Sequence, residues 1–202
     1  FHYAGAKGPH AGNNRSDAAG GGHAHAGLMI YQGAAFPKDF NGKIFMNNIH
    51  GQRLNMDIPE RKGSGFVGRH GKDFLNFNDK WSQVLNFTYD QDGSVYIIDW
   101  YDANQCHHNN PDGHDRGNGR IFKLVYGEGN AKPVDLKSES NAELVRMQLA
   151  PNDFLVRHAR RILQERGPNA EVHKLLSAML DSSLETSRRL RALWALHATS
   201  GL

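Results

Sequence analysis

Between residues 27 and 127 the apolar positions fall in short runs bounded by Gly, Asn or Asp: "GLMIYQG", "GKIFMNNI", "QRLNMDI", "SQVLNFTY", "GSVYIIDW" and "GRIFKLVYG". They are too short for helices and rich in Val, Ile, Tyr and Phe, so they predict strands. Three of them follow a turn that ends in glycine, in "DFNGKIF", "DQDGSVY" and "RGNGRIF". Glycine accepts the positive φ of a tight turn, and the strand then starts at once. Repetition of turn, glycine and strand predicts antiparallel meanders, the local topology of propeller blades, sandwiches and barrels alike.

The period changes after "GEGNAKPVDLKSES". In "APNDFLVRHARRILQERG", Asn152 is placed to cap a helix, Leu155, Ala159, Ile162 and Leu163 share one face, and Gly167 with Pro168 stops it. "AEVHKLLSAMLD" repeats the pattern with Val172, Leu175, Leu176, Met179 and Leu180. In the third helix, "LETSRRLRALWALHA", Val156, Arg157, Ala159 and Ile162 recur as Leu190, Arg191, Leu193 and Leu196 at a constant offset of 34 residues. That offset and the "VRHARRIL" run predict the opening of a HEAT-like α-solenoid, with Trp194 in its core. The expected order is β then α: a loop-rich lead-in over 1–26, terminal β-propeller blades over 27–127, a linker over 128–140 and α-helical repeats over 141–202.

Composition narrows this picture only a little. A chain of 202 residues with 39% hydrophobic content can build a real core. The formal charge of +3 is small, and Lys and Arg are scattered except in the last quarter, which gives no case for nucleic acid. There Arg157, Arg160, Arg161, Arg166, Arg188, Arg189 and Arg191 read as a solvated outer face or as ion pairs between repeats. No run approaches the roughly 20 apolar residues of a membrane span, and the start "FHYAGAKGPHAGNNRSD" lacks a signal-peptide core. The chain starts at Phe1 and stops within a helical pattern, so it reads as a piece of a longer protein. Its single cysteine, Cys106, excludes an internal disulfide and leaves the redox compartment open.

The unusual feature is the 12 histidines, several of them in four polar segments. "GHAHAG" puts His23 and His25 on one face of an extended segment, as a metal pair or cofactor contact requires; the alternative is a polar loop. "NNIHGQRLN" sets Asn47, Asn48, His50, Arg53 and Asn55 between two strands, where His50 and Arg53 suit an anionic or carbonyl-bearing ligand, or all five build a tight turn. "GSGFVGRHGKDFL", with Arg69, His70, Lys72 and Asp73, reads as a structural turn more readily than as a ligand lid.

The fourth segment carries Asp99, Trp100 and Asp102 at a strand end and continues into the long loop "ANQCHHNNPDGHDRGNG". Long loops in compact domains are usually functional or mobile. Cys106, His107, His108, His114 and Asp115 are competent zinc or copper ligands, and Asp99 or Asp102 could add an oxygen for calcium. The spacing matches no zinc signature, and side chains that fix the loop's own turns are the competing account. Arg116 and Arg120 either anchor a carboxylate at a channel mouth or pair with Asp112 and Asp115.

The run from "GHAHAGLMIYQGAAFPKDFNGKIFMNNIHGQRLNMD" through "GSGFVGRHGKDFL", "DGSVYIIDWYD", "CHH" and "DRGNGRIFKLVYG" resembles the PVC-type membrane-bound dehydrogenases, also described as haem-binding CxxCH proteins. The resemblance extends over about residues 22 to 202, including the helical part. It implies a six-bladed propeller similar to soluble glucose and sorbosone dehydrogenases, then HEAT-like repeats, then a cytochrome c module. This chain would hold the last blades and the first repeats of a periplasmic or cell-surface, membrane-associated oxidoreductase acting on a sugar or alcohol. Pyrroloquinoline quinone and calcium are cofactors by that resemblance. Haem c is expected outside this chain, because Cys106 stands alone where covalent haem needs a CxxCH. The helical repeats would dock a protein partner or the cytochrome c module. The alternative class is a non-catalytic propeller–solenoid scaffold that binds glycans or proteins at the cell surface.

Overall fold

The computed structural model describes residues 24–104, 111–128, 133–182 and 185–202. Among them are antiparallel sheets of eight strands followed by four α-helices, which gather into two compact units. The first unit runs to Tyr31 and takes in Phe36–Tyr89 and Ser94–Gly127; the second comprises Glu128–Leu202 with the short loops Gln32–Ala35 and Asp90–Gly93.

In the first unit, β1 (His25–Ile30), β2 (Ile44–Asn48), β3 (Arg53–Lys62) and β4 (Gly65–His70) follow one another across a sheet, and β5 (Leu75–Asn76) pairs with the first residues of β3. A second sheet is the meander β6 (Ser82–Tyr89), β7 (Val95–Tyr101), β8 (Gly119–Leu124). All pairings are antiparallel. Strand β4 stands where a glycine-rich turn was expected. It is an exposed edge strand held by its ladder to β3, so its sequence shows no apolar alternation. Pro59 fits within β3 because β2 pairs only as far as Asp57, beyond which one side of β3 needs no donor.

The turn glycines behave as predicted at Gly42 (φ 74°) and Gly93 (φ 76°), whereas Gly119 has no positive φ and opens β8 opposite Trp100. Gly27 (φ 60°) has a different reason to be glycine. It lies in a bulge of β1, and a Cβ there would sit 2.9 Å from the Leu85 carbonyl oxygen in the bulge of β6.

Alternation puts Met29, Phe45 and Leu54 of the first sheet and Val84, Phe87, Val95 and Ile97 of the second among the buried residues. Rings of Tyr31, Phe36, Phe40, Phe45 and Phe74 meet edge to face, at 5.0 Å for Tyr31–Phe36 and 5.1 Å for Phe45–Phe74. Burial of each such side chain contributes about 1.5–3 kcal/mol, and an edge-to-face pair adds about 0.5–1.5 kcal/mol.

The second unit holds α1 (Asn141–Arg146), α2 (Asp153–Arg166), α3 (Ala170–Asp181) and α4 (Thr186–Ala198). Asn152 caps α2 through Oδ1, which accepts from the Phe154 amide at 3.0 Å, while its Nδ2 donates to the Asp90 and Gln91 carbonyls. Gly167 ends α2 with φ 82°. Asn169 and Ser140 cap α3 and α1 in the same way, the latter within an "SNAE" capping pattern. The core is aliphatic: Leu144, Val145, Ala159, Ile162, Leu163, Val172, Leu176 and Leu196, joined by Leu136 from the expected linker.

One helical expectation fails. Trp194 is 51% exposed instead of buried. In α4 the buried stripe is Ala192, Ala195 and Leu196, so of the 34-residue echo only Ile162 and Leu196 are buried in both helices; Val156 is buried and Leu190 is exposed. No described helix is long and apolar enough to cross a membrane.

Candidate functional site

Three polar features of the β unit bear on function. The first grows from strand register. Residues two apart on a strand share a face, so Arg53, Asn55 and Asp57 of β3 lie together with Asn48 of β2, and the register sets His25 opposite Asn48 and His70 opposite Asp57. Asn55 Oδ1 accepts from Asn48 Nδ2 at 2.9 Å and lies 3.1 Å from His25 Nε2.

Asp73, in the loop after β4, closes the group. It accepts from Asn55 Nδ2 (2.7 Å) and Arg53 Nη1 (2.8 Å), and its Oδ1 lies 3.2 Å from His70 Nε2. The other nitrogen of His70 lies 3.1 Å from Asp57 Oδ1. Asn48 also accepts from the Gly51 amide, and Arg53 donates to the Gly51 carbonyl, which fixes the β2–β3 turn. Four sequence candidates, His25, Asn48, Arg53 and His70, are thus brought into one closed network. Their partners among the described residues are protein groups.

Other members of those segments lie apart from that network. Arg69 pairs with Glu60 on the surface and Lys72 is exposed. His50 is buried, and its carbonyl accepts from Gln52 Nε2 at 2.7 Å. Asn47 is on the opposite face of β2, pairs across to Leu54, and is 0% exposed; neither its Oδ1 nor its Nδ2 has a hydrogen-bond partner among the described residues.

The second feature is built on Asp99 and Asp102 at the end of β7. Asp99 is fully buried; Oδ1 accepts from the Gln83 amide (2.6 Å) and Ser82 Oγ (3.2 Å), and Oδ2 pairs with Arg120 at 2.7 Å. Arg120 also reaches Asp79 and stacks over the Tyr101 ring at 3.8 Å. Asp102 organises the following loop: Oδ1 accepts from the Asn104 amide, while Oδ2 accepts from the Asp115 amide and Trp100 Nε1 and lies 3.2 Å from His114 Nδ1. Burial pushes the Asp102 carboxyl upward, but the donors from Asn104, Trp100, His114 and Asp115 together outweigh it and hold it below the usual carboxylate range. Asp115 accepts from Gly117 and Asn118 in its own turn, and Asp112 is exposed.

These occupied oxygens decide how far the implied calcium fits. Calcium takes six to eight oxygen ligands. Asp99 and Asp102 already receive internal donors on both oxygens, and among the described residues no three His, Cys, Asp or Glu side chains come together as an ion site. Of the arginines suited to a quinone carboxylate, Arg53 and Arg120 are paired with aspartates. The described residues therefore do not compose a quinone–calcium site. His23, Cys106, His107 and His108 lie outside them.

The third feature is an open cleft of about 460 Å³ lined by Ile49, Gln83, Leu85, Trp100, Asn104, His114 and Arg116. Gln83 and Trp100 are directly opposite each other in the β6–β7 ladder. The bulge between Val84 and Asn86 turns Leu85 into the cleft while Val84 stays in the core. The Asp102 bond from Trp100 Nε1 fixes the indole, which is 39% exposed. Gln83 Nε2 donates to the Asp102 and Asn104 carbonyls and so ties the strand to the loop.

The cleft joins Arg116 and His114, which the sequence singled out, to Gln83, Leu85, Asn104 and Ile49, which it did not. "SQVLNFTY" gives no sign that a bulge sets Gln83 and Leu85 at one opening. An indole face, an imidazole, a guanidinium and two carboxamides, whose N–H donors are already bonded to backbone carbonyls, stand around one opening. No curated protein and no solved structure matches the chain. Residues 4–128 match the family model described as a domain of unknown function (DUF7133), and the chain belongs to that family.

Proposed function

We propose that the chain supplies consecutive sheets of a propeller-type, extracytoplasmic oxidoreductase, with the Trp100 cleft receiving a sugar or other alcohol. The observation that carries this reading is the indole of Trp100, clamped by buried Asp102 at the edge of a cleft with Gln83, Asn104, His114 and Arg116. A pyranose or polyol presents C–H faces to an aromatic ring and hydroxyls that accept from a guanidinium and donate to a carboxamide oxygen. Two successive antiparallel meanders are the local topology of propeller blades and support the architecture. A HEAT-like docking role for the helices, and a membrane-associated location, belong to the same proposal and rest on the sequence resemblance.

One observation favours the alternative of a non-catalytic glycan-binding scaffold. Asp99 and Asp102, which flank the cleft residue Trp100 in the chain, are already bonded to protein donors. The test uses the intact protein with a panel of sugars and alcohols, following intrinsic fluorescence for binding and quinone-supplemented dye reduction for turnover. Saturable binding is expected, weakened about tenfold or more in Trp100→Ala and largely retained in Trp100→Phe, which keeps an aromatic face. Binding with dye reduction supports the oxidoreductase, and binding without it identifies the scaffold. No saturable binding by any sugar or alcohol overturns both.

A further inference from the structure

The helical unit carries a feature that the proposed chemistry of the cleft does not use. Arg160, on α2, is half-buried, yet its guanidinium donates no hydrogen bond and pairs with no carboxylate among the described residues. Its neighbours account for this. Asp153 is taken by Arg157 at 2.8 Å and by Arg191 at 3.3 Å, and Glu165 is taken by Arg161. Arg191 is further tied to the Ala150 carbonyl. What Arg160 does have is an aromatic ring: its Cζ lies 5.5 Å from the centroid of Trp194 on α4.

Trp194 itself is the residue whose exposure contradicts its apolar character. Together with Leu190, one helical turn earlier and 38% exposed, it forms an apolar strip on α4. Burial lowers the Arg160 pKa, with Asp153 opposing and the nearby Arg191 and Arg157 adding to the effect, so its positive charge sits among others with one carboxylate to offset them. A semi-desolvated guanidinium stacked on an exposed indole is the kind of anchor that dominates protein interfaces.

We propose that Arg160, Trp194 and Leu190 form a docking site for an acidic segment of a protein partner, with a carboxylate on Arg160 and an apolar side chain over Trp194. Charge complementarity selects that occupant. A nucleic-acid backbone needs a track of uncommitted cations, whereas here Arg157, Arg161 and Arg191 are paired to aspartate or glutamate. A second copy of the chain would have to present an acidic strip to this face, and the adjacent residues of α2 are mainly basic. This inference is independent of the cleft reading.

The test is selection of a random displayed-peptide library against the intact protein, followed by fluorescence anisotropy of the selected peptides. Enriched peptides are expected to combine Asp or Glu with Leu, Phe or Trp. Their affinity should fall about tenfold or more on Arg160→Gln and on Trp194→Ala, and change less than about twofold on Arg161→Gln. Both Arg160 and Trp194 are partly solvated, and matching far-ultraviolet circular dichroism of the variants checks their folding. Failure to enrich acidic peptides, equal binding to Arg160→Gln and the parent, tighter binding of an oligothymidine probe at this site, or self-association abolished by Trp194→Ala would each overturn the proposal.

Discussion

The two units handle polar groups in opposite ways. In the β unit, Asn48, Asn55, Asp57, Asp99 and Asp102 are buried, and each is held by bonds that cross between strands or loops. In the helical unit the core is aliphatic, and the pairs Arg146–Glu143, Arg157–Asp153 and Arg161–Glu165 stand on its surface. Its buried polar residues Gln148, Asn152 and Thr199 serve helix ends and helix carbonyls. In the β unit, therefore, the atoms that shape the cleft also hold the fold. In the helical unit fold and surface chemistry are separable, which leaves Arg160 and Trp194 available for a partner.

The sharpest break of that comparison is Asp99→Ala against Glu165→Ala. Removing Asp99 strands part of the Arg120 charge and leaves the Gln83 amide and Ser82 hydroxyl without their acceptor. Breaking such a buried pair costs about 3–5 kcal/mol, and the lower end applies because Arg120 is partly solvated and keeps Asp79. Glu165 and Arg161 are exposed, and losing that pair costs less than about 1 kcal/mol. Denaturant unfolding of the intact protein, followed by circular dichroism, checks both. Equal losses would mean that the two units do not differ in this way.

The same contrast explains what the sequence made legible. Helix positions, the Asn152 cap and the Gly167 stop follow from local patterns, and the helices begin and end close to where those patterns place them. Strands with apolar alternation were equally readable, whereas β4, whose pairing and not its composition makes it a strand, was not. The candidate site was half legible. Polar residues clustered in sequence do meet, as with His25 and Asn48 on Asn55, but Asp73, which joins Arg53, Asn55 and His70, lies 18 residues from Asn55. Gln83 and Leu85 reach the cleft through a bulge, a register event that no single-sequence period reports. Trp194 misled because spacing alone does not tell the inner from the outer face of a helix.

A smaller effect, and one with a pH signature, is expected at Asp102. Its folded-state pKa lies below the ordinary unfolded value of about 3.9, so its contribution is fully present above that value and is lost as pH falls through the lower folded-state pKa. At neutral pH Asp102→Asn should cost about 2 kcal/mol, since the acceptor of the Asn104, Asp115 and Trp100 donors loses its charge. The difference between variant and parent should persist down to about pH 4 and shrink only below it. A difference that vanished well above pH 4 would assign the effect to a group other than the Asp102 carboxyl. Trp100 emission reports the same event locally, because the indole loses its anchor.

The smallest effect is expected at Asn47, and its sign carries the information. On an apolar face beside Leu54, a carboxamide with no partner leaves both its atoms desolvated. Asn47→Leu keeps a similar volume and removes that penalty, so a purely structural role predicts neutral stability or a gain of about 1 kcal/mol. Its position adds a second possibility. Asn47 lies near the end of β2, two residues before Ile49 in the following turn, and Ile49 lines the cleft. If the amide holds a water or hydroxyl that shapes the cleft floor, Asn47→Leu will stabilise the protein and weaken sugar or alcohol binding together. A gain in stability with unchanged binding would confine the ligand to the Trp100 side of the opening. A loss of stability would show that Asn47 is satisfied by groups beyond the described residues, and the β unit would then leave none of its buried polar side chains unpaired at this face.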